Sequence, residues 1–333
     1  MNDFITLDYG SGGKKTSDLI EKTIVPMLHN EALAQLGDGA ILPGSEKLAF
    51  STDSFVISPY FFPGGNIGKL SVCGTVNDVA MCGAEPKFLS LAAIIEEGFP
   101  MDDLKIILSS IAETAKAAGV SIVTGDTKVV EKGKADGLYI NTAGIGYLRH
   151  ENLSPKNLRP GDAVLLSGTA GDHGAAIMLC RNKNLLQGEL KSDCTPLNGL
   201  CAALYPLGED LRVLRDPTRG GVATTLNEFT EGSSVSIELD EKAIPVSDGV
   251  RSACDILGLD PLYCANEGKL LAVVNGSRAE EALEIMRSLP EGRNAAIIGR
   301  VSENHPGKVI VKTPFGGSRI IAKLAGDQLP RIC

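Results

Sequence analysis

The pattern of strand-like and helix-like segments breaks halfway through the chain, and this break constrains the fold more than any other feature. Before it, segments with helical periodicity alternate with apolar, β-branched runs typical of strands. The helical segments are 14–29, 66–82 and 102–119, and the strand-like ones are 48–57, 87–97, 121–131 and 138–148. The first half therefore predicts a domain that combines a sheet with helices.

A polar stretch at 149–161, with two prolines and no periodicity, is typical of a linker. Beyond it the alternation resumes, which predicts a second domain of similar size. Its helical segments are 172–180, 218–230, 247–257 and 278–288, and its strand candidates are 162–167, 270–274, 295–302 and 308–313. We predict a mixed α/β (α+β) protein with domains at 1–150 and 151–321, followed by a flexible tail at 322–333.

Charge and composition exclude several classes of protein. A net charge of −9 and a pI near 5.1 argue against binding to nucleic acid. The sequence shows no signal peptide and no apolar run long enough to span a bilayer, so we expect a cytoplasmic protein without membrane contact. The eight cysteines include no Cys-x-x-Cys pair, which argues against a zinc site, and a reducing compartment argues against disulfides.

Four aspartates lie in glycine-rich or strand-end settings: Asp38, Asp53, Asp78 and Asp126. Aspartate beside Gly or Thr is most often a turn residue. Asp78 differs because it lies within an otherwise apolar helix, where an ionised carboxylate needs a cation or several hydrogen bonds. Carboxylates from separate segments can bind Mg²⁺, but their spacing leaves open whether they converge or are scattered turn residues.

The N-terminal loop Gly10-Ser-Gly-Gly-Lys14 is similar to a phosphate-binding P-loop but has Lys14 where that motif requires Gly. Its backbone N–H groups and the Lys14 ammonium could still bind phosphate. A flexible N-terminal turn explains the same glycines equally well.

The sequence ends on a cysteine, Cys333, after a stretch that resembles a tether. A chain of eleven residue steps from Ala322 reaches roughly 36–40 Å when extended, which is enough to carry a thiol into a cleft and out again. Prenylation would require the cysteine four residues from the end. A terminus that serves as a peptide ligand, making the chain a non-enzymatic adaptor, remains an alternative.

Five motifs occur in an order that resembles a known superfamily. They are Gly-Asp-Gly-Ala (37–40), Asn-Asp-Val-Ala-Met-Cys-Gly-Ala (77–84), Gly-Asp-Thr-Lys (125–128), Arg-Asp-Pro-Thr-Arg-Gly-Gly (215–221) and Ala-Asn-Glu-Gly (265–268). The order resembles the ATP-binding superfamily of aminoimidazole ribonucleotide synthetase, selenophosphate synthetase and thiamine-monophosphate kinase. The ending Pro-Arg-Ile-Cys is similar to that of the HypE family, the carbamoyl dehydratases of nickel–iron hydrogenase maturation.

The resemblance implies two α/β domains, a homodimer formed through the N-terminal sheets, and ATP with Mg²⁺ in the cleft between domains. It implies metal and nucleotide ligands at Asp38, Asp53, Asp78 and Asp126. It also implies that the loop Ser11, Gly12, Gly13 and Lys14 covers the nucleotide.

The activity that the resemblance implies is ATP-dependent dehydration of an S-carboxamide on Cys333 to a thiocyanate, which supplies hydrogenase cyanide ligands. Glu267 is then the candidate base, and Lys128 a second catalytic residue that either stabilises phosphate or assists proton transfer. The implied partners are a carbamoyltransferase and the iron-bearing scaffold-protein complex of the pathway. The alternative enzyme is selenophosphate synthetase-like, but no cysteine precedes Cys73, and that enzyme needs one in the N-terminal loop.

Overall fold

The computed structural model describes residues 4–36, 39–182, 190–323, 326, 329 and 331–333. It consists of an N-terminal and a C-terminal half, each with its own sheet and helices. Within these ranges, no helix combines the length and apolar character needed to cross a membrane.

The N-terminal half opens on a short helical segment and then alternates strands with two long helices. Its helices are α1 Lys14–Leu19, a π-helical stretch Ile20–Ile24, α2 Val25–Leu28, α3 Ile67–Met81 and α4 Met101–Ala118. Its strands are β1 Leu48–Phe55, β2 Phe61–Phe62, β3 Gly65–Asn66, β4 Ala84–Glu96, β5 Ser121–Val130 and β6 Leu138–Leu148.

Local sequence sets the ends of the long helices. The Asn66 side chain accepts hydrogen bonds from the N–H groups of Gly68 and Lys69 and so starts α3. Gly119 ends α4 in the left-handed region at φ 70°, which costs glycine little. Both helices pack on one face of the sheet whose strand order is β1-β6-β4-β5.

The C-terminal half is built on a larger mixed sheet. Its helices are α5 Asp172–Arg181, α6 Asn198–Leu204, α7 Gly221–Thr230, α8 Asp248–Leu257 and α9 Ala279–Arg287. Its strands are β7 Ala163–Leu166, β8 Leu211–Arg215, β9 Ser236–Asp240, β10 Leu271–Val274, β11 Ala296–Ser302, β12 Val309–Lys312 and β13 Ser318–Ile321. The strand order is β13-β12-β9-β11-β7-β10-β8.

The two halves share one apolar core. Buried residues of α3, such as Cys73, belong to the same cluster as Ala175 of α5 and Val250 of α8. Leu329 and Ile332 of the tail are buried in this cluster as well, with exposures of 8% and 2%. The described part of the tail therefore packs between the halves.

Most predicted elements are confirmed to within a few residues. The strands at Leu211–Arg215, Ser236–Asp240 and Ser318–Ile321 and the helix Asn198–Leu204 were not predicted. The three strands are five residues or shorter, which is too short to show a clear hydrophobic period. The helix is also short, and Pro206 follows it closely. The domain boundary at residue 150 stays a prediction.

Candidate active site

The N-terminal half contributes two of the predicted aspartates to a carboxylate cluster at the junction of the halves. Asp53 lies on β1 and Asp78 lies on α3. The Oδ2 atom of Asp78 accepts a hydrogen bond of 2.8 Å from Ser51 Oγ. Burial raises the pKa of both carboxyl groups, and the charge of Asp78 raises the pKa of Asp53 further. Each carboxyl group is harder to ionise when it is desolvated and lies near another negative charge. A cation bound to the pair would offset this repulsion and favour the ionised forms.

The C-terminal half adds Asp216, which directly follows β8 and is only 5% exposed. Burial raises its pKa to about 7, with Asp78 and Asp53 adding to the shift and Arg215 opposing it. The charges that shift its pKa come from both halves, so the three carboxyl groups lie near one another at the junction of the halves. Arg219 also lowers the pKa of Asp53 and supplies positive charge from the C-terminal half.

Glu267 is the most strongly desolvated member of the site. It is 3% exposed, and its Oε1 atom has no hydrogen-bond partner among the described residues. Burial, followed by the charges of Cys194, Asp216, Asp193 and Asp53, raises its pKa well above the usual value. A buried carboxyl oxygen without a partner costs about 1–3 kcal/mol, and a ligand that donates a hydrogen bond to it would remove this cost.

The backbone around Glu267 is held rigidly. Asp193 accepts hydrogen bonds from the N–H groups of Glu267 at 3.1 Å and Gly268 at 3.3 Å. The Asn266 side chain accepts from Gly171 N–H at 2.7 Å and donates to the Pro217 carbonyl at 3.1 Å. These bonds fix the Glu267 peptide beside the segment that carries Asp216.

Gly268 allows this close approach. A Cβ atom at that position would lie 1.8 Å from the Asp193 carbonyl oxygen, so only glycine fits. This explains why the Ala-Asn-Glu-Gly motif ends on glycine.

Asp126 and Lys128 lie elsewhere in the same chain. Across the sheet, Asp53 of β1 aligns with Thr142 of β6, then with Leu91 of β4 and Gly125 of β5. The strands β1 and β5 are therefore the opposite edges of the sheet, roughly 14 Å apart. Side chains alternate along a strand, so Asp126 and Asp53 project from opposite faces. Lys128 Nζ pairs with Asp126 at 2.5 Å, which lowers the pKa of Asp126.

The predicted phosphate loop, Gly10–Lys14, lies near the β5 edge of the sheet. Ser11 Oγ donates to the Asp8 carbonyl at 3.0 Å, and Gly12 N–H donates to Thr16 Oγ1 at 3.0 Å, while the loop from Ser11 through Gly13 to Lys14 is exposed. A cavity of about 360 Å³, lined by Gly12, Asp126, Lys128 and apolar side chains of the π-helical stretch, α2 and β4, adjoins it. This volume falls in the range of small-molecule sites. Asp38 lies outside the described residues.

No three described histidine, cysteine or acidic side chains are close enough to hold a metal ion on their own. Asp53 and Asp78 nevertheless fit Mg²⁺ in charge and chemistry, because Mg²⁺ usually takes one or two carboxylates and completes its shell with phosphate oxygens and water. The assignment of these aspartates as metal ligands stays a prediction.

Cys333 lies just beyond the end of β1, the strand that carries Asp53. Its carbonyl oxygen accepts a hydrogen bond of 3.1 Å from the N–H of Val56, three residues beyond Asp53. The residue is partly buried, which differs from the exposed setting predicted from sequence, because Ile332 anchors the preceding position in the core. Cys82, which directly follows α3, is the exposed cysteine of the described residues.

Sequence reasoning missed Asp216, Asp193 and His173 as parts of the site. Asp216 was within reach, because it lies in the Arg-Asp-Pro-Thr-Arg-Gly-Gly motif. Asp193 and His173 act through backbone contacts with distant segments, for which the sequence carries no local signal.

Comparison with known proteins agrees with this geometry. Residues 36–148 match the family model of the AIR synthase related protein N-terminal domain, and residues 159–312 match that of the AIR synthase related protein C-terminal domain. The chain is 51% identical to the carbamoyl dehydratase HypE of Azotobacter vinelandii, over 100% of this chain and 98% of that protein.

Two solved structures are also similar. One is a hydrogenase maturation protein HypE in complex with ATP, at 46% identity, with a TM-score of 0.95 over 98% of this chain and 99% of that chain. The other is a HypE–HypF complex, at 51% identity, with a TM-score of 0.81 over 92% of this chain and 99% of that chain. With this identity over its whole length, the chain belongs to the HypE family of carbamoyl dehydratases.

Proposed function

We propose that this chain uses ATP to dehydrate an S-carboxamide on Cys333 to a thiocyanate, the precursor of the cyanide ligands of nickel–iron hydrogenase. The observation that carries the proposal is the hydrogen bond from Val56 N–H to the Cys333 carbonyl. It brings the cysteine just beyond the end of the strand that bears Asp53. The family's activity and the HypE–ATP complex support the same reaction.

The reaction needs an activated oxygen, because the oxygen of a carboxamide is a poor leaving group. Transfer of the γ-phosphoryl group of ATP to that oxygen, with loss of one N–H proton, gives an O-phosphorylated imidate and ADP. Loss of the second N–H proton and cleavage of the C–O bond then release phosphate and leave S–C≡N. The balance is one ATP consumed and one water removed from the carboxamide.

Glu267 is the proposed base for the two N–H protons. A carboxylate of ordinary pKa is a weak base at neutral pH, whereas a pKa raised towards the working pH makes proton removal more favourable. The burial that raises the pKa of Glu267 therefore suits this role. The partnerless Oε1 is free, among the described residues, to accept a proton from the amide nitrogen.

Asp53 and Asp78 would hold Mg²⁺ bound to the phosphates of ATP. The ion would neutralise charge on the transferring phosphoryl group. Before ligand binds, both carboxyl groups have raised pKa values, and the arriving positive charge would favour their ionised forms. We keep Asp38, Asp126 and the loop Ser11–Lys14 as proposed nucleotide contacts; Asp126 and the loop, which lie at the far edge of the sheet, would reach the nucleotide from a second copy of the chain.

If Lys128 acts at this site, we propose that it does so from a second copy of the chain. Within one chain it lies at the far edge and on the opposite face of the sheet, and that face also exposes Phe50 and Ile94. The homodimer predicted through the N-terminal sheets would cover this face. We propose that each site combines Glu267 of one protomer with Lys128 of the other.

The proposed partners follow from the thiol chemistry. A HypF-type carbamoyltransferase would load Cys333, as the HypE–HypF complex of a similar protein suggests. The iron-bearing scaffold-protein complex of the pathway would accept the cyanide. A cytoplasmic location belongs to the same proposal.

The test is Glu267→Gln, which keeps the shape of the side chain and removes its basicity. We expect unchanged ATP affinity by calorimetry and accumulation of carbamoylated protein. Single-turnover dehydration should slow by at least about 100-fold, the usual value of a general base. Glu303→Gln, at an exposed position, is the matched control and should behave as wild type. Normal cyanation in the Glu267 variant would remove Glu267 from the mechanism.

Mixed dimers test the shared site. A heterodimer of one Glu267→Gln chain and one Lys128→Ala chain contains one intact site if the two residues act across the interface. It should then recover about half of the wild-type activity, whereas each homodimeric variant stays inactive. No recovery would place both residues in the same chain's site.

A further inference from the structure

His173 of α5 is completely buried and makes a hydrogen bond with each of its ring nitrogens. Nε2 lies 2.8 Å from the carbonyl oxygen of Ile332, and Nδ1 lies 2.7 Å from Ser192 Oγ. A carbonyl oxygen only accepts, so Nε2 carries the proton and Nδ1 accepts from the serine hydroxyl. The tail thus contributes the acceptor that satisfies a buried imidazole.

The serine is itself fixed in this arrangement. Its Oγ accepts from the N–H of Cys194 at 3.1 Å, which directs the hydroxyl proton towards Nδ1 of His173. Its own N–H donates to the Pro63 carbonyl at 2.8 Å in the N-terminal half. In the docked arrangement Ser192 therefore fixes the tautomer of His173, with Nε2–H facing the tail.

Asp193, the residue after Ser192, contacts the segment that carries Glu267. The Asp193 carboxylate accepts from the N–H groups of Glu267 and Gly268 and from Lys269 Nζ at 3.1 Å. Two consecutive residues therefore connect the tail to the proposed base: Ser192 through His173, and Asp193 through the Glu267 peptide.

Other contacts hold the tail through both its backbone and the Arg331 side chain. Arg181 Nη2 donates to the Arg331 carbonyl at 2.6 Å, and Arg331 Nε donates to the Val56 carbonyl at 3.0 Å. Among the described residues, His173 is the contact that also leads, through Ser192 and Asp193, to Glu267.

We propose that His173 is a positioning residue that recognises the docked tail through the Ile332 carbonyl and couples docking to the placement of Glu267. When the tail leaves, Nε2–H is buried without an acceptor, and the Ser192–Asp193 segment loses its restraint on that side. Docking and a correctly placed base are then linked. The part concerning Glu267 rests on the proposed function, whereas the docking part does not.

A pair of amide substitutions separates the two ring nitrogens. In His173→Gln the amide nitrogen can occupy the position of Nε2 and still donate to Ile332. In His173→Asn the shorter side chain reaches only the position of Nδ1. The assay measures the alkylation rate of Cys333 by iodoacetamide in the unmodified protein, from the mass of its peptide, with exposed Cys82 as internal reference.

We expect His173→Asn to raise the Cys333 rate about tenfold, the effect of one lost buried hydrogen bond, and to leave the Cys82 rate unchanged. His173→Gln should stay within about twofold of wild type. Ser192→Ala, which keeps the ring but frees its tautomer, should give an intermediate rate and replaces His173→Asn if that variant fails to fold. Equal rates in wild type and His173→Asn, or equally raised rates in the Asn and Gln variants, would overturn the docking role.

The coupling to Glu267 is read from carbamoylated protein. His173→Asn should slow single-turnover dehydration at saturating ATP without changing ATP affinity, and His173→Gln should restore the rate. A docking defect without slower dehydration would overturn the coupling. Failure of wild type to dehydrate at all would refute the proposed function instead, and the alkylation result would stand.

Discussion

Shortening Ile332 should release the tail by a predictable amount. Its side chain is 2% exposed within the core shared by the two halves. Ile332→Ala removes three carbon groups at about 0.8 kcal/mol each, or about 2.4 kcal/mol in total. Since the tail can leave without unfolding the rest of the protein, this cost falls on the docking equilibrium. Each 1.4 kcal/mol changes the docking equilibrium constant tenfold, so the undocked population rises about 50-fold. Ile332→Val removes one group and should give about fourfold.

Cysteine alkylation measures this population directly. While undocked molecules are the minority, the rate at Cys333 is proportional to their fraction, so the two variants should show rates raised by those factors. Cys82 again serves as the reference, and the thermal unfolding midpoint should change little. Equal rates in wild type, Ile332→Val and Ile332→Ala would show that burial of Ile332 does not hold the tail, and the docking argument would be refuted.

Three further substitutions test other parts of the site. Asp78→Asn should weaken Mg²⁺-dependent ATP binding at least about tenfold by calorimetry, because a neutral amide would replace one of the proposed carboxylate ligands of Mg²⁺. Its melting temperature should not fall, since burial already raises the pKa of Asp78. Gly268→Ala should destabilise the fold by about 3 kcal/mol in urea unfolding, because its Cβ would meet the Asp193 backbone, and unchanged stability would contradict the packing described here. Burial lowers the pKa of His173 below 6.5; Asp193 opposes this shift and Arg181 adds to it. The His173 imidazole therefore binds protons more readily in the unfolded chain than in the folded protein. Stability relative to His173→Gln should therefore fall as the pH drops below 6.5, and a pH-independent difference would contradict the buried neutral ring.

The elements of the fold were largely predictable because their signals are local. The apolar run at 66–82 and the alternation at 138–148 each contain enough residues to define a period. The short strand at Leu211–Arg215 does not, although it positions Asp216. Elements recognised only through their tertiary neighbours were the ones missed.

The candidate site was predictable in part for the same reason. Asp78 was informative because a charge within an apolar helix needs a partner, and its pairing with Ser51 and proximity to Asp53 agree with that expectation. The separation of Asp126 from Asp53 depends on the strand order, which the sequence does not reveal. The role of His173 depends on a contact across 159 positions in the chain, beyond any local pattern.

The most direct test of the account is the mass of the peptide that ends at Cys333, measured after stepwise incubation of the protein. With a HypF-type carbamoyltransferase and its carbamoyl donor, the account predicts a carbamoyl adduct on Cys333. Addition of ATP and Mg²⁺ should then remove one water from that adduct and release ADP and phosphate in equal amount. A carbamoyl or cyano group on an internal cysteine such as Cys73 or Cys264, or an adduct that persists unchanged with ATP, would contradict it.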